Sequence, residues 1–340
     1  MSHVNAKPSV DRILLGWIPY WNMLPFYREL SRNGENIQFV TGSPVQINSH
    51  LKEGKVKIAP SSSVCLLTDA RSEIAVPYGV SCDGPVQSVY IGFQHEHEEV
   101  FAYIESRLLQ IRGLYRQAHQ MHGFDVRKIS QFMWEAASIL PKPACELIPT
   151  ICMSKSSASS VILAKILYKL CFGDNAFTQL CERDSSIGNL SIRAPLEVVI
   201  GDEALMRKTS FYKILDLGEA WKLVTDLPFV FSIWQCHGEF LNGWRRRICK
   251  CGELASAKMK VEPTSYFPDS LPVDENGRPI NLASYWANIN YKLGPKEFKG
   301  LSLFLSLARD LKPQLASQVD LVKLLRWQDF GINGNIPRIV

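Results

Sequence analysis

The first third of the chain alternates short apolar runs with amphipathic segments. Arg12–Trp17, Ile37–Thr41 and Val56–Ala59 have the length and composition of buried strands. Between them, Phe26–Arg32 has helical spacing, and Ser43-Pro44 is a typical helix start. Strands that alternate with helices pair in parallel through helical crossovers. The pattern therefore predicts an α/β protein.

A long helical segment interrupts this alternation. After a predicted strand at Ser88–Phe93, residues 95–140 carry apolar side chains at intervals of three and four. That spacing predicts two amphipathic helices, separated at Gly123. The strand pattern then resumes at three segments, Leu147–Met153, Leu196–Ile200 and Phe229–Trp234. Helices dominate from Leu282 onward, and the last of them is predicted at Gln314–Trp327.

The apolar stripe of the first inserted helix has three interpretations, and the sequence does not separate them. The stripe consists of Leu108, Ile111, Leu114 and Tyr115. It is core, a docking surface for a partner, or a homodimer contact.

Length and composition narrow the class of protein. A chain of 340 residues is longer than one hydrophobic core usually serves, so we expect two lobes. The 38 Lys and Arg residues exceed the 33 Asp and Glu residues by only five, without the basic stripe typical of nucleic-acid binding. No run approaches the roughly 18 to 20 apolar residues of a membrane-spanning helix. We therefore expect neither nucleic acid nor a membrane as a partner.

The N-terminus and the cysteines predict a cytoplasmic protein. Met1–Asp11 is polar and has no apolar signal-peptide core. The nine cysteines are scattered through apolar segments, which is typical of reduced, buried thiols. Cys236-His237 and Cys249-x-Cys251 together offer four metal-ligating side chains, but their spacing is not that of common zinc modules. We therefore predict no metal, and a zinc site formed by these four residues is the alternative.

Small polar residues follow several predicted strands where a helix begins. Ser61-Ser62-Ser63, Ser154–Ser160 and Gly201-Asp202-Glu203 all occupy such positions. In open α/β sheets ligands bind beyond the carboxyl ends of strands, and N–H groups at helix starts favour anions. These segments predict a cleft that binds carboxylates, with Asp83 and Asp202 beside it. Helix capping by serine and Asp202, and a turn role for Asp83, remain the alternatives.

Motifs of common catalytic classes are missing from the sequence. It contains no G-x-S-x-G elbow, no P-loop, no H-E-x-x-H and no G-x-G-x-x-G.

Seven segments of the chain, taken in order, resemble motifs of the chorismate dehydratases of menaquinone biosynthesis. Ile18–Pro25 resembles their aromatic-hydrophobic-Asn-x-Leu-Pro element, and Ser81–Val89 resembles their S-x-D-G-P-V-x-S-V segment. The other five follow in the same order: Ser157–Val161, Ile200–Leu205, Asp216–Trp221, Leu227–Phe231 and Tyr291–Gly294.

The resemblance implies a two-lobed fold like that of the type 2 periplasmic binding proteins. Lobe 1 would combine residues 12–93 with residues 228–330. Lobe 2 would be residues 94–227, including the helical insertion at about 95–140. The insertion and a long 236–279 stretch depart from the family pattern.

The resemblance also implies a lyase that needs no cofactor. Chorismate would lose water to give 3-[(1-carboxyvinyl)oxy]benzoate in the futalosine pathway, with the substrate held between the lobes. Asn22 and Ser88 match residues implicated in the family's site, although Asn22 could also cap the helix before Pro25. The expected substrate-binding residues are Ser61, Ser62, Asp83, Ser157, Ser159, Ser160, Gly201 and Asp202. The alternatives are the dihydroxynaphthoate synthase of the same pathway and a non-catalytic carboxylate-binding protein.

Overall fold

Eleven strands and eleven α-helices form within the part of the chain that the computed structural model describes. Those residues are 13–33, 36–141, 149–154, 157–173, 180–183, 196–238 and 242–311. The strands are β1 (Ile13–Trp17), β2 (Ile37–Thr41), β3 (Ile58–Ser62), β4 (Ser72–Cys82), β5 (Val89–Phe93), β6 (Ile151–Ser154), β7 (Leu180–Arg183), β8 (Leu196–Ile200), β9 (Lys213–Asp216), β10 (Phe229–His237) and β11 (Asn290–Lys292). The helices are α1 (Leu24–Arg32), α2 (Pro44–Lys52), α3 (Cys65–Thr68), α4 (Glu98–His122), α5 (Val126–Ile139), α6 (Ala158–Phe172), α7 (Asp202–Arg207), α8 (Leu217–Thr225), α9 (Asn242–Val261), α10 (Leu282–Ala287) and α11 (Pro295–Leu311). The helix predicted at Gln314–Trp327 lies outside the described residues.

The strands form two mixed sheets, so the predicted α/β class is confirmed. The first sheet has the order β11-β4-β10-β3-β1-β2, in which β1 is parallel to β2 and β3. Strand β10 is antiparallel to both of its neighbours. The second sheet has the order β7-β6-β8-β5-β9, in which β6 is parallel to β7 and β8.

Strand β5 belongs to the second sheet, although the predicted division groups it with lobe 1. It pairs antiparallel with β8 and β9, and Ile91 is aligned with Val198 and Leu215. The chain thus passes from the first sheet to the second between Cys82 and Val89. We therefore propose a lobe boundary before Val89 rather than after Phe93. A short apolar run indicates a buried strand but does not indicate which sheet it joins.

The inserted hairpin is part of the core. Helices α4 and α5 pack against each other and against α6, α8 and α11. Leu108, Ile111 and Tyr115 are buried within this cluster. The guanidinium of Arg107, also buried, donates to the carbonyl oxygen of Cys171 on α6 over 3.1 Å. These three positions of the stripe therefore pack inside this chain and are core, whereas Leu114 is half-buried.

Helix α2 begins where the sequence predicts, and its N-terminus is capped. The Ser43 hydroxyl accepts from the N–H of Gln46, and the Gln46 side chain accepts in return from the N–H of Ser43. This reciprocal pair satisfies two of the backbone donors that a helix start leaves unpaired. The helix then passes beside β3, which brings its middle turn close to the serines that end that strand.

Candidate functional site

A cleft lies between the two sheets and encloses about 540 Å³, part of it open to solvent. Its lining comes from the strand ends of both sheets and from the start of α6. The lining residues are Ile18, Tyr20, Asn22, Met23, Pro44, Pro60, Ser62, Val80, Val86, Ser88, Val89, Ser157, Ser160, Ile200, Gly201, Phe231 and Ser232. None of these described residues carries a charge. An anion in the cleft would therefore be held by hydroxyls, amides and backbone N–H groups.

Asn22 is presented to the cleft by a 3-10 turn, Trp21–Met23, that follows β1. The carbonyl oxygen of Asn22 accepts from the Tyr291 hydroxyl (2.6 Å). The carbonyl oxygen of Trp21 accepts from the Trp286 indole N–H (2.8 Å). Met23 rather than Asn22 is the N-cap of α1. The amide of Asn22 therefore has no capping duty at that helix, and the backbone around it is fixed from α10 and β11.

Ser88 and Asn22 meet at one buried phenol. The Tyr285 hydroxyl donates to Ser88 Oγ over 2.9 Å, and the side chain of Asn22 also hydrogen-bonds to it. Burial raises the pKa of Tyr285 well above its usual range, and the two hydrogen bonds oppose this in part. The phenol therefore stays neutral and links the two predicted catalytic residues. The sequence does not single out Tyr285, because an aromatic residue on a helix is normally part of the core.

A buried carboxylate shapes the loop that presents Ser88. Asp216 accepts backbone hydrogen bonds from Val86 (3.1 Å) and Gln87 (2.6 Å) in that loop. It also accepts from Gly218 and Glu219 at the start of α8. Burial raises the pKa of Asp216, and these four N–H groups oppose the change. The carboxylate thus fixes the Ser88 loop to α8.

Gly218 supports the same arrangement by its lack of a side chain. A Cβ there would lie 2.6 Å from Cys82 Sγ and 2.7 Å from the carbonyl oxygen of Gly84. A side chain at this position would clash with both atoms, so packing accounts for the glycine in Asp216-Leu217-Gly218. Asp83, in the same loop, does not line the cleft. Its carboxylate instead forms an ion pair with Lys222 Nζ at 2.7 Å on the surface.

Three of the five serines predicted to bind the substrate line the cleft, namely Ser62, Ser157 and Ser160. Ser157 precedes α6 and donates to Ser160 Oγ over 3.1 Å. Ser61 does not line the cleft, and its hydroxyl donates to Asn48 on α2 over 2.7 Å. Of the predicted Ser154–Ser160 segment, residues 155–156 lie outside the described part of the chain.

Ser159 connects the lobes instead of lining the cleft. It is fully buried, and its hydroxyl lies 3.0 Å from Ser63 Oγ. It also accepts from the backbone N–H of Val64 over 3.1 Å. These contacts attach the start of α6 to the end of β3, and so they set the width of the cleft at this point.

Gly201 and Asp202 form a second connection across the cleft. Gly201 has a φ of +75°, and a Cβ there would lie 2.9 Å from the Tyr20 ring. The neighbouring Asp202 does not line the cleft. Its carboxylate accepts from the N–H of Trp21 over 3.0 Å. Burial raises the pKa of Asp202 to about 7, so this contact between the lobes involves a carboxyl that titrates near neutrality.

The four side chains that could have ligated a metal do not converge. Cys236 Sγ is directed at the carbonyl oxygen of Gly238, whereas Cys251 Sγ is directed at that of Glu29. His237 Nε2 lies 2.8 Å from Asp69 Oδ2. Among the described residues, no three His, Cys, Asp or Glu side chains are placed to hold one metal ion. Within the same residues, no helix is long and apolar enough to cross a membrane.

The fold is similar to that of solved periplasmic binding proteins. The alkanesulfonate-binding protein of Xanthomonas axonopodis pv. citri, bound to MOPS, is 11% identical with a TM-score of 0.55, over 94% of this chain and 98% of that one. A Candida albicans gene product with the generic periplasmic-binding-protein fold is 10% identical with a TM-score of 0.52, over 93% and 95%. At identities this low, the similarity shows the fold alone. The structural similarity confirms the predicted fold.

A family model described as menaquinone biosynthesis matches residues 13–105 and 130–310. The two ranges include every described cleft residue. The residues between them, 106–129, lie in α4, the following turn and the start of α5, where the sequence predicted a departure from the family pattern. The chain belongs to the menaquinone biosynthesis family.

Proposed function

We propose that this protein is a chorismate dehydratase, a lyase that converts chorismate to 3-[(1-carboxyvinyl)oxy]benzoate in the futalosine route. One observation carries the proposal: Asn22 and Ser88 line the same cleft and are joined through the Tyr285 phenol. These are the two residues that the sequence resemblance implicates in catalysis. The family match supports a role in menaquinone biosynthesis, and the site geometry supports this particular step.

The reaction breaks two bonds next to each other on the chorismate ring. A ring C–H bond gives up its proton, the adjacent C–O bond releases the hydroxyl, and water leaves as the ring becomes aromatic. Aromatisation supplies the driving force, so the protein mainly orients the substrate and stabilises the developing charge. We assign Asn22 and Ser88 to this work, as hydrogen-bonding groups at the ring hydroxyl and carboxylate.

The substrate itself supplies the base in this proposal. None of the described residues that line the cleft is a His, Asp, Glu or Lys. The resemblance to the chorismate dehydratases implies that a carboxylate of chorismate, held over the ring, accepts the ring proton. Apolar side chains such as Met23, Ile200 and Phe231 suit the ring, and the hydroxyls of Ser62, Ser157 and Ser160 suit the carboxylates.

The dihydroxynaphthoate synthase alternative fits the site less well. That family uses a base-like histidine. Neither His50 nor His237 lines the cleft. His237 is the last residue of β10, and its Nε2 lies 2.8 Å from Asp69 Oδ2.

Incubation of the purified protein with chorismate tests the proposal. The expected result is a product lighter by one water, detected by mass spectrometry, and its formation should be strongly reduced in Asn22→Ala. Calorimetry measures chorismate binding on the same samples. Tight binding with no product would contradict the proposed reaction and favour the non-catalytic carboxylate-binding alternative.

A further inference from the structure

Asn48, on α2, forms hydrogen bonds with both serines that end β3. Its side-chain oxygen Oδ1 accepts from the Ser62 backbone N–H (3.1 Å) and from the Ser61 hydroxyl (2.7 Å). Its nitrogen Nδ2 donates to Ser62 Oγ over 3.1 Å. Asn48 does not line the cleft, whereas Ser62 does. The asparagine therefore lies directly behind one of the cleft hydroxyls.

The orientation of the Asn48 amide follows from its partners. A backbone N–H can only donate, so the atom 3.1 Å from the Ser62 nitrogen must be the carbonyl oxygen. The NH₂ group then faces Ser62 Oγ, and an NH₂ group can also only donate. Ser62 Oγ is therefore the acceptor of this bond, and its own hydrogen is left for a different acceptor.

Ser62 is held rigidly enough for this orientation to matter. In the first sheet, Ser62 of β3 lies opposite Ser232 of β10. Its carbonyl oxygen accepts from the fully buried Gln235 side chain over 3.0 Å. With the backbone and the acceptor side of the hydroxyl both occupied, the hydroxyl hydrogen is available to a ligand in the cleft.

We propose that Asn48 is a positioning residue that fixes the Ser62 hydroxyl as a hydrogen-bond donor to a substrate carboxylate. The inference rests on the proposed function, because it assigns one of the two chorismate carboxylates to this point. A serine hydroxyl alone can donate or accept. In a cleft whose described lining has no cation, donors of fixed direction are what stabilise an anion without reorganisation.

The expected effect is on substrate binding rather than on the chemical step. A carboxylate that only anchors the substrate has the same charge in the ground state and the transition state, so its loss raises KM and leaves kcat nearly unchanged. Asn48→Asp keeps an oxygen for the Ser62 N–H but replaces the donor with a second acceptor. The Ser62 hydroxyl would then donate to the introduced carboxylate instead of to the substrate. We expect KM to rise roughly tenfold to a hundredfold, as for one hydrogen bond to a charged group.

A double-mutant cycle with Ser62→Ala separates reorientation from simple charge repulsion. Repulsion by the new carboxylate would persist without the Ser62 hydroxyl, whereas reorientation needs it. We therefore expect Asn48→Asp to raise KM strongly beside Ser62 and only weakly in the Ser62→Ala background. Val45→Asp, at an exposed position on the same helix, adds the same charge as a control and should leave KM nearly unchanged. Equal rises in both backgrounds would overturn the inference.

Two further measurements keep the test decisive. Thermal unfolding of each variant identifies any that does not fold, in which case Asn48→Ala replaces Asn48→Asp in the same cycle. Dissociation constants for chorismate, measured by calorimetry, replace KM if the wild-type protein binds without turnover. Failure of the proposed reaction would thus leave the role of Asn48 measurable. A wild-type protein that neither binds nor converts chorismate would overturn both proposals.

Discussion

The hydroxyl oxygen of Tyr285 lies 2.9 Å from Ser88 Oγ, so a side chain from α10 sets the position of a residue that follows β4. The same phenol hydrogen-bonds to Asn22 after β1. Three segments far apart in the chain thus meet at one hydrogen-bonded group. The two predicted catalytic residues owe their relative position to a third residue that is itself fully buried.

Tyr285→Phe is expected to lower kcat about tenfold to a hundredfold, because one hydrogen bond that orients the reacting groups is lost. The ring still fills its site, so the change in KM should be smaller. Steady-state kinetics with chorismate measure both constants. Tyr266→Phe is the matched control, since its hydroxyl bonds to Glu29 away from the cleft. It should lower stability without changing kcat, and an equal loss of kcat in both variants would contradict the role of Tyr285.

Gly201→Ala is expected to destabilise the protein by about 1–3 kcal/mol, the cost of holding a residue with a Cβ in a positive-φ backbone region that is nearly restricted to glycine. The φ of Gly201 is +75°, and the new Cβ would press on the Tyr20 ring at 2.9 Å. Chemical denaturation measures the free energy of unfolding, and KM should rise as the cleft wall is displaced. Gly113→Ala is the control. Apart from its chain neighbours and the backbone of its own helix, no atom lies within 4 Å of its Cβ position, so this helical site should gain roughly 0.5–1 kcal/mol.

Asp202→Asn is expected to raise stability at pH 8.5 and to change it much less near pH 4. The pKa of Asp202 is raised from 3.8 to about 7 by burial, so the folded state binds the proton more tightly than the unfolded state does. The contribution of this carboxyl to stability is therefore greatest at low pH and declines as pH rises from about 4 to 7. Each pH unit between the two pKa values corresponds to about 1.4 kcal/mol.

Melting temperatures of Asp202→Asn and wild type across this pH range provide the measurement. Asparagine retains an oxygen for the Trp21 N–H, which isolates the effect of the charge. Asp83→Asn is the control, because that carboxylate is 42% exposed and paired with Lys222. A pH-independent difference between Asp202→Asn and wild type would show that the carboxyl does not titrate in this range.

Ile111→Ala is expected to destabilise the protein by about 2–4 kcal/mol, as for a large-to-small change in a packed core. Ile111 is fully buried between the inserted hairpin and the rest of the fold. Leu109→Ala, on the same helix but 55% exposed, should change the free energy of unfolding by less than about 0.5 kcal/mol. Similar effects at the two positions would contradict the assignment of the stripe to the core.

Local patterns in the sequence were sufficient for much of the secondary structure. The strands at Ile37–Thr41 and Leu196–Ile200, and the start of α2 after Ser43, appear in the structure as predicted. Each depends on a short apolar run or a capping pair that neighbours in sequence define. The longest strand, Ser72–Cys82, was not predicted. It contains Pro77 and Gly79, and it is a strand because β10 and β11 pair with it on either side.

The site shows the same division between local and long-range information. The sequence by itself determined the fold class and the family, and it singled out Asn22 and Ser88 as catalytic candidates, because the motifs that carry this information are each made of residues close together in the chain. Only the tertiary structure decided that β5 joins the second sheet, that Ser62 lines the cleft and Ser61 does not, and that Tyr285 and Asn48 stand behind the cleft serines. Strand pairing and side-chain hydrogen bonds between distant segments set these features. A single sequence carries no direct record of which distant residues meet.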